Sequence, residues 1–347
     1  MKKKYVSVLS VIMACSLLFT GCGLGKKNDK SSKKNTDKKV TSEEKTSVNT
    51  GDEDSGTEES DFSDDTIVMY IGEDNVRVSD VKVYTYFLKS KYEAFGEDIW
   101  DMKDGSSSLN SMARQELLDF ILEIQVINHK AAAENVTLTA DEDAEIHEKA
   151  EEYMGTISKE NAEKYGITAA KLETVFSQNK IAEKMYYIYT EGAEDEVTDE
   201  KARQVSIEYI YFKTKGLSEE DANEKWVQAE KIKKKALKEK NFAEFARKYT
   251  ESETIAAIVG QGSKKFGDKV IDAALSLTDN RVSSVVEGND GCYILYCVSS
   301  NDKEATQKRK EQLIESSQKK AFKDNYQKWL SSLKIDINNS FWNSLKL

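Results

Sequence analysis

Apolar positions along this chain follow three successive spacings, and each predicts a different kind of structure. Between Thr66 and Val78 they form two short runs, Ile67-Val68-Met69-Tyr70-Ile71 and Val76-Arg77-Val78, around Gly72-Glu73-Asp74-Asn75. That pattern predicts two strands about a turn. From Ser79 the spacing becomes helical. Ser79 reads as the N-cap of a helix carrying Val83, Tyr84, Phe87, Leu88 and Tyr92. After a loose stretch at Gly105-Ser106-Ser107-Ser108, a second helix runs from Leu109 to Asn135. Thr139 caps a polar helix through Tyr153, and Thr168 caps another with Leu172, Val175, Phe176, Ile181, Met185 and Tyr186 on its apolar face. Glu194 to Asp199 is an acidic break.

The third spacing begins at Ala202. Val205 to Phe212 is rich in β-branched and aromatic residues and predicts a strand. Glu219 to Lys240 predicts an amphipathic helix with Trp226, Ala229, Ile232, Ala236 and Leu237 on one side. Asn241 caps a short helix presenting Phe242, Phe245, Ala246 and Tyr249. A loop bearing Gly260, Gly262 and Gly267 leads to an apolar helical turn, Val270 to Leu277. Two strands follow, Val282 to Val286 and Cys292 to Val298, about the turn Gly288-Asn289-Asp290-Gly291. Lys303 to Leu333 returns to long helix with Phe322, Tyr326 and Trp329, and the chain ends in Ile335-Asp336-Ile337 and Phe341-Trp342. The fold class predicted is therefore α+β. Helices before and after the compact unit cannot cover their apolar faces alone, so they are expected to pack as one helical domain around an insertion.

A separate signal sits at the start. Lys2, Lys3 and Lys4 precede an apolar run from Tyr5 to Phe19, too short to span the roughly 30 Å hydrocarbon core of a bilayer. Its end, Leu18-Phe19-Thr20-Gly21-Cys22, resembles a lipobox, with Phe19 where leucine is usual. Cleavage before Cys22 and lipidation of its thiol are the expectation, which places the chain on the extracytoplasmic face of a cell membrane. Gly23 to Asp65 has almost no large apolar residue and reads as a disordered tether, with a mean reach of about 35–40 Å. The organisation expected is residues 1–21 signal peptide, 22–65 lipidated cysteine and tether, 66–200 and 301–347 the helical domain, and 201–300 the inserted unit.

Composition narrows the functions. A formal net charge of −11 argues against a nucleic-acid partner. Cys15 leaves with the signal and Cys22 takes lipid, while Cys292 and Cys297 sit five apart in one strand. They therefore point to opposite faces about 17 Å apart, so they cannot form a disulfide and read as small core residues. Neither His129 nor His147 has a cysteine or second histidine placed to complete a metal site, and neither metal nor cofactor is expected. Proline is absent from all 347 residues, so no X-Pro bond slows this chain's own folding.

Four stretches carry a family pattern: Tyr209-Ile210-Tyr211-Phe212-Lys213, Asn241 to Thr250, Val270 to Leu277, and Gly291-Cys292-Tyr293-Ile294-Leu295. In this order they resemble the PrsA and SurA type of extracytoplasmic foldase, over roughly Thr66 to Ile337. In that family a helical chaperone domain, built from N- and C-terminal segments, surrounds a parvulin (PpiC-type) peptidyl-prolyl isomerase domain with an antiparallel sheet. Matched residue by residue, the family's first-strand histidine is Tyr209 here and its last-strand histidine is Tyr293. The acidic or cysteine position after the short helix is Ser252. The apolar pocket for substrate falls on Phe266, Val270 and Leu275.

The resemblance implies a membrane-anchored foldase or holdase whose partners are unfolded or partly folded exported polypeptides, with assembly as a homodimer left open. It also implies weakened catalysis. Rotation about X-Pro has a barrier of about 18–20 kcal/mol, and a neutral tyrosine cannot supply both nitrogens of an imidazole to a bracing network. A cradle for clients is expected from the aromatics of the flanking helices: Tyr84, Tyr86, Phe87, Tyr92, Phe95, Tyr186, Tyr187, Phe322, Tyr326 and Trp329. The alternatives are an active isomerase and, more remotely, a solute-binding lipoprotein, which requires two lobes of alternating strand and helix.

Overall fold

The structure, a computed structural model, describes residues 62–104 and 107–347. The expected signal peptide, Cys22 and nearly all of the tether lie outside the described residues. The chain opens with β1 (Ile67–Ile71), β2 (Asp74–Arg77) and α1 (Val78–Glu93), then a short pair, β3 (Lys103–Asp104) and β4 (Ser107–Ser108). Helices α2 (Leu109–Ala133), α3 (Ala140–Met154), α4 (Lys159–Tyr165), α5 (Ala169–Thr190) and α6 (Asp199–Ala202) follow. The next stretch is β5 (Gln204–Lys213), α7 (Glu219–Ala236), α8 (Phe242–Tyr249), β6 (Ala256–Gly260), α9 (Asp268–Ser276), β7 (Val282–Glu287) and β8 (Gly291–Ser299). Then come α10 (Lys303–Ser332), β9 (Ile335–Ile337) and α11 (Asn339–Ser344).

These residues form two compact units, one comprising the described residues up to Tyr189 with Phe322–Leu347, the other Thr190–Ala321. The first unit joins the first and last described segments of the chain. Strand β1 pairs antiparallel with β2 on one side and with β9 on the other, Met69 opposite Ile337 and Ile71 opposite Ile335. Helix α2 supplies the spine of its core through Leu117, Ile121, Ile124 and Ile127, a helically spaced and fully buried stripe. Burying each such side chain contributes about 1.5–3 kcal/mol. Phe322, Tyr326 and Trp329 of α10 join the same cluster.

Helix α1 starts one residue before the predicted Ser79 cap. Chain upstream satisfies its first donors, with Val78 N–H donating to the Thr66 carbonyl and Ser79 N–H to that of Asp64. Helix α4 is an addition to the predicted elements; Ser158 caps it and Gly166, at φ +59°, closes it. The aromatic cradle needs correction. Tyr84, Phe87, Phe322, Tyr326 and Trp329 are core side chains, and Tyr86, Tyr92 and Tyr186 are half-buried. Of the ten, Phe95 and Tyr187 are exposed. The buried rings pack against other aromatic side chains of their own unit, as in the edge contacts Tyr84–Phe120 and Phe322–Trp329.

In the second unit a four-stranded antiparallel sheet runs in the order β6-β5-β8-β7. Alternation along its central strands builds two cores. Val205, Ile207 and Tyr209 share one cluster with Tyr293, Leu295, Cys297 and residues of α9. Ile210, Phe212, Cys292 and Ile294 share the other with α7 and α8. Cys292 and Cys297 are thus buried, free thiols in separate clusters, as their odd spacing along one strand requires. Strand β6 lies where a glycine-bearing loop was expected. Its pairing with Gln204–Glu208 supplies the order that Ala256-Ala257 does not encode locally. All sheets among the described residues are antiparallel, which does not match the two α/β lobes of a solute-binding lipoprotein. Among the described residues no helix is long and apolar enough to cross a membrane.

Candidate functional site

On the α9 side of this sheet, register sets the candidate site. Tyr209 of β5 lies opposite Leu295 and Tyr211 opposite Tyr293, so three tyrosines point to the same face. Their rings meet. Tyr209 and Tyr293 have centroids 6.0 Å apart, Tyr211 and Tyr293 5.0 Å apart, and Phe266 makes edge contacts with Tyr209 at 5.2 Å and Tyr293 at 5.5 Å. Tyr209 is 2% exposed, Phe266 3% and Tyr293 4%, so the rings are shut off from solvent. Val270 is buried in the same cluster, and half-buried Leu275 packs against it.

The hydroxyls are committed as well. Tyr209 Oη is 2.7 Å from Thr254 Oγ1 and 3.4 Å from Ser252 Oγ. Tyr293 Oη donates to Asp290 Oδ1 at 2.6 Å, and Tyr211 Oη donates to the Asp290 carbonyl at 3.2 Å. Burial, and then the bond to Asp290, hold the Tyr293 hydroxyl far above the usual tyrosine range. Burial followed by the charge of Asp290 pushes Tyr211 up to about 12. Both remain neutral donors at physiological pH. Beneath them, burial raises the Cys292 thiol to about 11, too high for a nucleophile.

Gly288 lets this packing close. A Cβ built there would stand 2.5 Å from Tyr293 Cε2 and 2.7 Å from the Phe266 carbonyl oxygen. Neither histidine belongs to this unit, so the unit brings no imidazole of its own to the site.

Residues 209–299 match the Rotamase family model, described as the PPIC-type PPIASE domain. The second unit contains a PpiC-type domain. Peptidylprolyl isomerase (PrsA) from Bacillus cereus is 17% identical with a TM-score of 0.32, covering 66% of this chain and 88% of that one. Foldase protein (PrsA) from Lactococcus lactis is 14% identical with a TM-score of 0.34, covering 80% and 97%. A structure described under two SurA-like chaperones of Campylobacter jejuni is 13% identical with a TM-score of 0.30, covering 79% and 99%. No curated protein matches the sequence.

Within the PpiC-type domain, Tyr209, Tyr293, Ser252, Phe266, Val270 and Leu275 converge on one face, while Cys22 lies outside the described residues. Sequence reasoning passed over Tyr211, Thr254 and Asp290. Tyr211 was recoverable, because period-two alternation puts it beside Tyr209. Thr254 and Asp290 reach the site from loops and carried no local signal. One group of metal-capable side chains occurs among the described residues, His147, Glu151 and Glu173 in the first unit, with donor atoms within 4.8 Å of one another. There His147 Nδ1 pairs with Glu173 Oε1 at 2.6 Å across α3 and α5, a contact that no sequence spacing indicated.

Proposed function

We propose that this chain is a membrane-anchored extracytoplasmic foldase or holdase for exported polypeptides, and that its PpiC-type domain has little or no isomerase activity. The observation that carries the reading is the closed ring cluster. Tyr209, Phe266 and Tyr293 occupy one another's faces, and their hydroxyl partners come from the protein itself. A prolyl ring seeking an apolar pocket would have to displace them. Two missing imidazole contacts of about 1–1.5 kcal/mol each correspond to roughly two orders of magnitude in rate. The Lys2–Lys4, apolar run and Cys22 pattern supports export and lipid anchoring. Holding unfolded clients then falls mainly to the helical unit built from both ends of the chain.

The domain scheme belongs to the same proposal: residues 66–200 and 301–347 as chaperone domain, 201–300 as an autonomous insertion. The test combines two assays on the purified full chain. Aggregation of an unfolded client should be suppressed, while proline isomerisation in a protease-coupled assay stays near the uncatalysed rate. Tyr209→His with Tyr293→His should raise that rate. Ordinary enzymatic efficiency in the unmodified chain, abolished by Tyr209→Ala, would overturn the reading and establish the second one, an active isomerase, which the family match favours.

A further inference from the structure

One segment of the second unit carries charge opposite to the rest of the chain. Lys231, Lys233, Lys234, Lys235, Lys238 and Lys240 crowd into residues 231–240 beside a single acid, Glu239, in a chain of net charge −11. Helix α7 packs Ala229, Ile232 and Ala236 into the core. Val227, Lys231 and Lys234 follow at intervals of four and three residues, which places them along the opposite, outward stripe, and Lys238 and Lys240 are exposed just past the helix end. Lys233 lies 4.0 Å from Glu230, and Lys235 lies over the Tyr249 ring at 5.9 Å. Among the described residues Lys231, Lys234, Lys238 and Lys240 make no ion pair.

The helix dipole accounts for part of this. Lys233, Lys234 and Lys235 stand in the last turn, where positive charge complements the terminal carbonyls. That effect fades within a turn, so it does not explain Lys231, nor Lys238 and Lys240 beyond the C-cap. Solubility explains the lysines but not their apolar neighbours. Leu237, the C-cap itself, is 58% exposed, and Val227 is exposed on the lysine stripe.

We propose that this face docks on an anionic lipid bilayer. Lysine ammonium groups match phosphate headgroups, and a protruding leucine gains only where an apolar layer lies just beneath them. A soluble polyanion would engage the lysines and leave Leu237 in water. The acidic remainder of the chain is repelled by the same surface, which would set the orientation of the second unit. An anchored chain would bring this face within reach of the leaflet, but docking rests neither on the anchor nor on the foldase reading.

The test uses the full chain with vesicles of phosphatidylcholine, alone or mixed equally with phosphatidylglycerol. Flotation with the neutral vesicles reports membrane attachment by other parts of the chain; the difference between vesicle types reports the face. Amine acetylation read by mass spectrometry should fall roughly fivefold or more at Lys231, Lys234, Lys238 and Lys240 on anionic vesicles only. Lys159, with its side chain 89% exposed in the first unit, should not change. High salt should abolish the protection. Leu237→Ser should weaken protection by vesicles but not by poly-glutamate. Equal labelling on both vesicle types overturns the proposal. So does stronger protection by poly-glutamate at equal charge together with no effect of Leu237→Ser, which would assign the face to an acidic polypeptide.

Discussion

Glu123 is a buried carboxyl in the first unit, and its replacement by glutamine should stabilise that unit at high pH. It lies on α2 at 1% exposure, and its Oε1 has no hydrogen-bond partner. Burial, and then the charge of Asp119 one turn earlier, raise its pKa from 4.5 to about 8. Asp119 is raised by burial too, against a hydrogen bond from Gln115, and Tyr326 of α10 is raised by burial and then by Glu123. The folded state therefore holds a proton at Glu123 that the unfolded chain releases above pH 4.5. Its contribution is fully present below pH 4.5 and is lost as pH rises through 8. A difference of this size corresponds to about 4–5 kcal/mol across that window.

Glu123→Gln keeps the shape and removes the titration. The variant should match the parent near pH 4.5 and exceed it by about 2–4 kcal/mol above pH 8, after allowing for the buried amide's own unmet bonds. Guanidinium unfolding in a Trp226→Phe background isolates the first unit, because the remaining tryptophans, Trp100, Trp329 and Trp342, all belong to it. The difference between variant and parent cancels carboxylates remote from Glu123, such as Glu142, whose bond from Lys184 holds it low, at about 2. A difference that stays flat from pH 4.5 to 8, or one in which the parent improves as pH rises, would refute the reasoning.

Three further outcomes are expected. Cys22→Ala should leave an uncleaved or mis-processed precursor that incorporates no labelled palmitate, whereas equal labelling would remove the lipid anchor from the proposal. Tyr209→Phe deletes the 2.7 Å bond to Thr254 and should destabilise the second unit by about 1 kcal/mol in chemical denaturation, with the aromatic packing retained. Gly288→Ala forces a methyl against Tyr293 and the Phe266 backbone and should destabilise the unit by about 1–3 kcal/mol, shifting the resonances of both rings; an unperturbed spectrum would contradict the packing described.

Local periodicity determined most of the elements. Period-two runs at Val205–Phe212 and Cys292–Val298 became β5 and β8, and the helical runs became α1, α2, α3, α5, α7, α8 and α10 with ends moved by a few residues. Such patterns are legible because each residue's face follows from its own backbone geometry. The insertion was legible for a related reason, as helices on either side of it were left with apolar faces to cover. Tertiary structure decided what periodicity could not express. Strand β6 exists because β5 offers it a ladder. The aromatics of the flanking helices became core rather than cradle because an apolar stripe does not say whether its partner is another helix or a client. Thr254 and Asp290 reached Tyr209 and Tyr293 through loops, where one chain's hydrogen-bonding groups meet groups distant in sequence and no repeat marks the encounter. The site's closure was decided the same way, since a tyrosine in the sequence gives its size and its hydroxyl, and only packing decides whether the space beside it is left open.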